Sequence, residues 1–375
     1  MKHTVYAVLI GVTFVIAATA PLIAAGSSLD IVWANENQEN RVCVGDGNGD
    51  FGCSDVSANT DGSWGVALGF VDGDTVLDAV IANLSQPNRV CLGDGDGGFA
   101  CDDMTVGMTD SRYLALGYID GDEVLDVVFA NKDFGYHGRP NHVCIGDGAG
   151  GFACANVSSD ENNSMAVALG LVNGDSALDA VFADAGDGGS VCLGNGAGGF
   201  TCSGIPLADG GQGVALGYVD GDRHLDAVFS SHRLCLGDGA GNFDCSSVID
   251  GGPGTRYLAL GFVNGDDDLD VIFANHGPNR VCLGNGHGGF VCEDMNTDTF
   301  GSETVALGLV DGDQNLDAVF GNWFPQKNRL CLGDGGGGFA CTDASPDTNS
   351  SYGVAVGYLD DDHWIFMDGF TSGDT

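Results

Sequence analysis

Apolar residues in this chain come in short bursts separated by glycine, aspartate and asparagine, and no stretch after residue 28 carries the 3.6-residue period and end caps of a helix. One unit shows the pattern. WGVALGFV (64–71), LDAVIAN (77–83), RVCLG (89–93) and GFAC (98–101) are rich in Val, Leu, Ile and Phe, and each is predicted to be a strand. The unit then recurs. FVDGDTVLDAVIAN at 70 returns as YIDGDEVLDVVFAN at 118, LVNGDSALDAVFAD at 171, YVDGDRHLDAVFSS at 218, FVNGDDDLDVIFAN at 262 and LVDGDQNLDAVFGN at 309. A hairpin phrase, RVCLGDGDGGFAC at 89, alternates with it and is present seven times, from RVCVGDGNGDFGC at 41 to RLCLGDGGGGFAC at 329. Loop starts at Asp72, Asp120, Asn173, Asp220, Asn264, Asp311 and Asp360 lie 48, 53, 47, 44, 47 and 49 residues apart. Four antiparallel strands at a period in the forties predict an all-β fold, a seven-bladed β-propeller of four-stranded blades.

The two ends complement each other. LDIVWAN (29–35) opens the series without a first strand, and YGVAVGYLDDD (352–362) closes it with a first strand but no cysteine hairpin. The C-terminal strand is expected to complete the N-terminal blade, which removes an open sheet edge. HWIFMDGF (363–370) is the competing candidate, as a degenerate second strand. The expected domains are a signal peptide over 1–26, the propeller over 27–362 and a tail over 363–375. MKHTVYAVLIGVTFVIAATAPLIAAGSS has one Lys, an apolar run and then small residues, with a cut near Ala24–Gly26; an uncleaved anchor is the alternative.

The formal charge is −41, from 47 Asp and 6 Glu against 12 Lys and Arg. Aspartate favours turns and glutamate favours helices, so the acidity belongs to loops. Such a field repels nucleic acid and anionic membranes and attracts cations. Salt adaptation is the plainer explanation of the same acidity. Fourteen cysteines fall as Cys43–Cys53, Cys91–Cys101, Cys144–Cys154, Cys192–Cys202, Cys235–Cys245, Cys282–Cys292 and Cys331–Cys341, each nine residues between. Zinc spacing is absent. A hairpin folded about Asp96 sets Cys91 opposite Cys101, with Cα atoms roughly 4.5–5.5 Å apart, so seven local disulfides in an oxidising, extracellular compartment are expected.

Spacing also separates a constant face from a variable one. The second Cys of a unit stands 19 residues before the next acidic loop in all but one case, where it is 18, whereas the interval from the Leu-Asp aspartate to the first Cys runs from 9 to 18. Length variation is confined to the loops between second and third strands. There KDFGYHGRP (132–140) and NWFPQK (322–327) bring Phe134, Tyr136, Trp323 and Phe324, the expected ligand contacts. Arg41, Arg89, Arg233, Arg280 and Arg329 stand two residues before a blade's first Cys; pairing with blade carboxylates is favoured over an anionic ligand. Asn83, Asn156, Asn162 and Asn349 begin N-x-S sequons. The GDGxGG turns lead into strands and not helices, which argues against a phosphate loop.

The acidic loop followed by Leu-Asp, with the GDGxGGF hairpin, resembles the FG-GAP and VCBS repeats, the blade unit of the integrin α-chain propeller and of many secreted bacterial proteins. The resemblance covers nearly all of 29–362. It implies calcium held by a D-x-D-x-D-G-x-x-D loop, whose third, fifth and ninth positions here are Asp72, Asp74 and Asp78; Asp120, Asp122 and Asp126; Asn173, Asp175 and Asp179; Asp220, Asp222 and Asp226; Asn264, Asp266 and Asp270; and Asp311, Asp313 and Asp317. The Asp-rich 264–270 loop is the best candidate of the six, because Asp268 adds a further ligand there. The first position is apolar every time, at Phe70, Tyr118, Leu171, Tyr218, Phe262 and Leu309, and the Gly after the fifth position is missing. Sites weakened in this way belong in the range of extracellular modules, roughly 10⁻⁴–10⁻³ M. The competing role for these aspartates is to shape the turn, the last one accepting backbone N–H groups.

The eight histidines do not recur with the repeat, and no pair of acids is singled out by spacing. The expected function is therefore a secreted, monomeric, calcium-binding adhesion or recognition module that binds a glycan or protein ligand at the extracellular or cell surface. It needs no membrane insertion once the signal is removed. The alternatives are a polysaccharide lyase-like enzyme and a structural envelope protein with salt-adapted acidity.

Overall fold

In the acidic 1–2 loop and the cysteine hairpin of each unit, carboxylates compete with the β-ladder for backbone N–H groups, and that competition sets the strand ends. In the second unit the strands are Ser63–Gly69, Asp78–Gln86, Arg89–Gly93 and Phe99–Asp103. The first stops at Gly69 and not at residue 71, because the Val71 N–H donates to the Asp78 carboxylate at 2.8 Å. The fourth runs on to Asp103, which stays in register with Arg89. The computed structural model describes residues 29–47, 49–104, 109–132, 138–159, 162–186, 188–295 and 301–359, with a two-residue ladder pairing Thr4–Val5 and Ala18–Thr19. Apart from that ladder, the expected leader over 1–26 lies outside the described residues, as do the tail over 363–375 and the strand candidate at 363–370.

The strands form seven antiparallel four-stranded units, here called blades 1 to 7, the second and third joined into one eight-stranded sheet where Thr109 and Asp110 pair with Gln86 and Leu84, and no helix occurs among the described residues. Blade 1 is built from both ends of the chain: Ser351–Gly357 pairs antiparallel with Asp30–Asn35, which is followed by Arg41–Gly45 and Phe51–Asp55. Blades 2 to 7 follow in sequence order, their first strands being Ser63–Gly69, Thr109–Gly117, Ser164–Gly170, Val214–Gly217, Thr255–Gly261 and Ser302–Gly308. Each first strand contacts the next, and Ser351–Gly357 touches both Ser302–Gly308 and Ser63–Gly69. All seven expected disulfides are present, with Cα–Cα distances of 3.9–4.0 Å. That is closer than opposed positions generally stand.

The core lies between blades. One second-strand position supplies Trp33, Ile81, Phe129, Phe182, Phe229, Phe273 and Phe320, all at most 1% exposed. Gly69 ends its strand where a Cβ would stand 2.7 Å from Leu125 and 2.8 Å from Leu116 of the next blade, so a larger residue there would push the blades apart.

Two buried polar devices repeat around the molecule. At the end that carries the 2–3 loops, Asn40 Nδ2 donates to Ser63 Oγ, and Ser63 Oγ donates to Asn83 Oδ1. The same amide–hydroxyl–amide or carboxylate relay runs through Asn88, Ser111 and Asn131; Asn141, Ser164 and Asp184; Asn279, Ser302 and Asn322; and Asn328, Ser351 and Asn35, with all distances 2.6–3.0 Å. The outer amide belongs to one blade and the hydroxyl to the next, so each relay crosses a blade boundary. His232 takes the outer place in front of Thr255 and Asn275. At the other end the Leu-Asp carboxylate is the pin. One Asp78 oxygen accepts the Val71 N–H and the other accepts the Gly93 N–H at 3.0 Å, joining the 1–2 loop to the hairpin. Asp30 does the same across the chain ends, accepting from Gly45 and Leu359.

Burial pushes the carboxyls of Asp78, Asp226, Asp270 and Asp317 up to about 6, against the downward pull of the backbone N–H bonds, and nearby loop aspartates add to the rise. The folded chain thus holds these protons more tightly than the unfolded one, so their stabilisation is complete below about pH 4 and lost as pH rises through about 6. Hairpin carboxyls such as Asp94 and Asp334 are held below the usual range by backbone N–H groups and act only at lower pH. In chelator, the melting temperature should rise as pH falls from 7.5 to 5; a fall over that window would show that the N–H bonds outweigh burial. Ser351→Ala strands the Asn328 donor and the Asn35 acceptor, and should cost about 2–4 kcal/mol in a denaturant titration. Ser54→Ala, on an exposed site, should stay within about 0.5 kcal/mol. Equal effects of the two changes would deny the relay its role.

Candidate functional site

The relay serine is followed by an extra residue. Opposite Asn83 and Ala82 stand Ser63 and Gly65, so Trp64 is the inserted residue of a β-bulge. The same register shift falls at Arg112, Met165, Arg256, Glu303 and Tyr352, and Gln212 holds the matching place in blade 5. A bulge re-aims its side chain. These seven side chains line one cavity of about 310 Å³, together with Lys132, Ala185, His276 and Trp323, which follow the ends of second strands. The first strands neighbour one another around it, so the cavity lies at the axis, on the face of the 2–3 loops. A smaller adjoining space shares Trp64, Arg112, Glu303 and Tyr352 with it and is also lined by the buried Tyr113 and Tyr257, stacked with ring centroids 4.5 Å apart. Gly213 makes room for them, since a Cβ there would stand 2.8 Å from the Tyr257 ring.

One wall is aromatic. Trp64 stacks on Tyr352 with centroids 3.9 Å apart, and the Arg112 guanidinium lies 3.6 Å over the Trp64 ring. From blades 6 and 7, beside Tyr352 of blade 1, Glu303, only 7% exposed, accepts from His276 Nε2 at 2.5 Å, with Arg256 Nε 3.7 Å away; His276 in turn stacks against Trp323 at 6.0 Å. Burial pushes the Arg112 guanidinium down to about 10, although Glu36, Glu303 and Asp110 favour its charge. Burial, then repulsion from Arg112, lowers the Lys132 ammonium. Burial and the charges of Glu303 and Glu36 raise the Tyr352 phenol.

The acidic loops, taken one by one, are held by their own backbone. Asp72 accepts from the Asp74 N–H, Asp74 from the Val76 N–H, and Asp78 pins the loop; Asp120, Asp122 and Asp126 repeat this, as do Asn173, Asp175 and Asp179, and Asp220, Asp222 and Asp226. In the next loop Asn264, Asp266 and Asp270 do so, and Asp268 contributes its N–H to Asp266. Only Asp311, Asp313 and Asp317, among the described residues, bring three carboxylate oxygens within 4.8 Å of one another. That trio fits a divalent cation, with both Asp317 oxygens also accepting backbone N–H groups. Phe70, Tyr118, Leu171 and Tyr218, where the first ligand would be, are 38–44% exposed.

The other sequence expectations divide. Four of the five ring arginines pair with carboxylates: Arg41 with Asp55 and Asp347, Arg89 with Asp61 and Asp103, Arg280 with Asp250 and Asp294, and Arg329 with Asp343. Asn83 is wholly buried and donates to the Pro87 carbonyl, so its sequon offers no acceptor on the folded surface. Trp323 reaches the cavity, Phe324 is 59% exposed and outside its lining, and Phe134 and Tyr136 lie outside the described residues. Sequence reasoning missed Trp64, Arg112, Arg256, Glu303 and Tyr352. The signal was there: in SWGVALG, SRYLALG, SMAVALG, TRYLALG, SETVALG and SYGVAVG the second residue differs in chemistry while most others are kept.

No family model matches the chain, and no curated protein does. Solved structures do match. A lectin of Agrocybe aegerita, described as recognising non-reducing terminal N-acetylglucosamine, aligns with a TM-score of 0.62 at 16% identity over 90% of this chain and 97% of its own. A lectin of Burkholderia pseudomallei aligns at 0.58 and 15% identity over 84% and 98%, and a periplasmic gluconolactonase of Pseudomonas aeruginosa at 0.57 and 13% over 89% and 100%. At these identities the likeness is one of fold: the chain is a β-propeller-like protein of repeated four-stranded sheets.

Proposed function

We propose that the chain closes as a seven-bladed propeller and acts as an extracellular, non-catalytic module that binds a glycan in the axial cavity. The observation that carries this is the Trp64–Tyr352 stack under the Arg112 guanidinium, set at a register position whose chemistry changes from blade to blade. Aromatic faces take the apolar face of a sugar ring, and a few polar groups around them fix its orientation. Propeller lectins among the structural neighbours support the reading, and seven intrachain disulfides suit an oxidising compartment. Closure is supported by the pairing of Ser351–Gly357 with Asp30–Asn35 and by the Asn328–Ser351–Asn35 relay. Calcium, in this reading, enters at Asp311, Asp313 and Asp317 and braces a turn that already holds itself. The FG-GAP and VCBS resemblance supports that choice of ion.

A second reading draws on the same cavity. The His276–Glu303 pair and Tyr352 line one space with two arginines, an arrangement that suits an elimination enzyme as well as a binding site.

On a glycan array followed by calorimetry, Trp64→Ala and Tyr352→Ala should each weaken binding at least tenfold while the melting temperature holds. Trp323→Ala should weaken it less, and Phe324→Ala not at all. Full affinity in Trp64→Ala would place the site elsewhere. Calcium titrated into chelator-stripped protein should show one weak site, selective over magnesium and lost in Asp313→Asn. Several equivalent sites, or no heat above the magnesium background, would contradict the single trio.

A further inference from the structure

The cavity reverses the sign of the molecule. The chain carries −41 with only 12 Lys and Arg, yet three of those twelve, Arg112, Lys132 and Arg256, line this single space with one carboxylate, Glu303. Three cations less one anion leaves a formal +2 in a strongly acidic body. The cations are not interchangeable. Arg256 lies beside Glu303 and His276 on one side, whereas Arg112 and Lys132 share blade 3 beside the Trp64–Tyr352 wall. Two like charges are thus held on one side of the cavity, and repulsion between them contributes to the lowered Lys132 ammonium.

We propose that the axial cavity selects a saccharide bearing a single carboxylate, a uronic acid residue, over its neutral counterpart; this rests on the reading of the cavity as the glycan site. The sugar ring lies against Trp64 and Tyr352, and the carboxylate meets Arg112 and Lys132. A guanidinium placed 3.6 Å over an indole centroid is restrained by that contact, and its planar donor geometry matches the two oxygens of a carboxylate. A single negative charge gains from this local field while paying little repulsion from the acidic exterior, which salt screens beyond about 8 Å. A polyanion would extend into that exterior. A volume of about 310 Å³ stands at the small end of ligand pockets, roughly 300–1,000 Å³, and suits one or two sugar residues and not a long groove-bound chain.

The test compares the methyl glycosides of glucuronate and galacturonate with their methyl esters, by calorimetry on the full chain at low and physiological salt. The better acid should bind at least tenfold more tightly than its ester, with the advantage shrinking as NaCl rises. Arg112→Gln and Lys132→Ala should each reduce that ratio below threefold. Arg112 is buried, so where its variant melts early the half-buried Lys132 carries the test. Equal binding of acid and ester would overturn the carboxylate inference and leave the glycan site standing. No binding of either, with a blank glycan array, would overturn both. Unsaturated products from a uronate polymer, lost in Arg112→Gln, would support carboxylate recognition and replace the binding-only reading with the elimination enzyme.

Discussion

At five of the seven blade boundaries a serine hydroxyl buried between two side-chain partners joins one blade to the next, with Thr255 in its place at a sixth, and much of the molecule's organisation depends on that contact. In the relay from Asn88 through Ser111 to Asn131 the hydroxyl accepts from one blade and donates within the next. Each group is fully buried or nearly so, so an unmade bond would carry the full cost of desolvation. This makes the relay directional and sets the height at which blades meet. It also fixes the residue that comes next. With Ser111 tied to Asn131, the chain reaches Tyr113 opposite Ala130 only by bulging at Arg112. The device that aligns the blades is therefore the device that turns six side chains toward the axis, Gln212 of blade 5 reaching the same place without it.

Repetition and function pull in opposite directions here. Identical blades share one core position, one disulfide and one aspartate pin, and all of these can be copied without loss. A binding site on the axis cannot be built from seven copies of one residue unless the ligand shares that symmetry. The bulged position is free to vary because its side chain leaves the blade interface. Trp64, Arg112, Glu303 and Tyr352 can thus differ in size and charge while Val66, Leu114, Val305 and Val354 behind them stay apolar and packed.

The parts that were legible in the sequence are those written in contiguous phrases. The hairpin sets Cys91 against Cys101 within eleven residues, and the Leu-Asp pair announces both the second strand and its pin. The relay was not legible, because its members stand 20 to 23 residues apart within a blade pair and 316 apart at the chain ends. Nothing in a serine or an asparagine at that distance names its partner. The cavity was hidden for a related reason: its residues share a register and not a chemistry, so a search for recurring motifs passes over them. Trp323 was chosen for its variable loop and does reach the cavity, whereas Phe324 beside it does not. For the acidic loops, sequence left turn and metal open; the structure shows each Leu-Asp carboxylate engaged by backbone N–H groups and, among the described residues, gathers a full trio only at Asp311, Asp313 and Asp317.

The central claim is positional: the bulged ring at the axis is where this protein meets its ligand. The most direct test is a crystal structure of the full chain soaked with a methyl glucuronoside. The account predicts density for the sugar against Trp64 and Tyr352, with its carboxylate beside Arg112. Density on the outer loops or between blades, with the axial cavity holding only solvent, would contradict it.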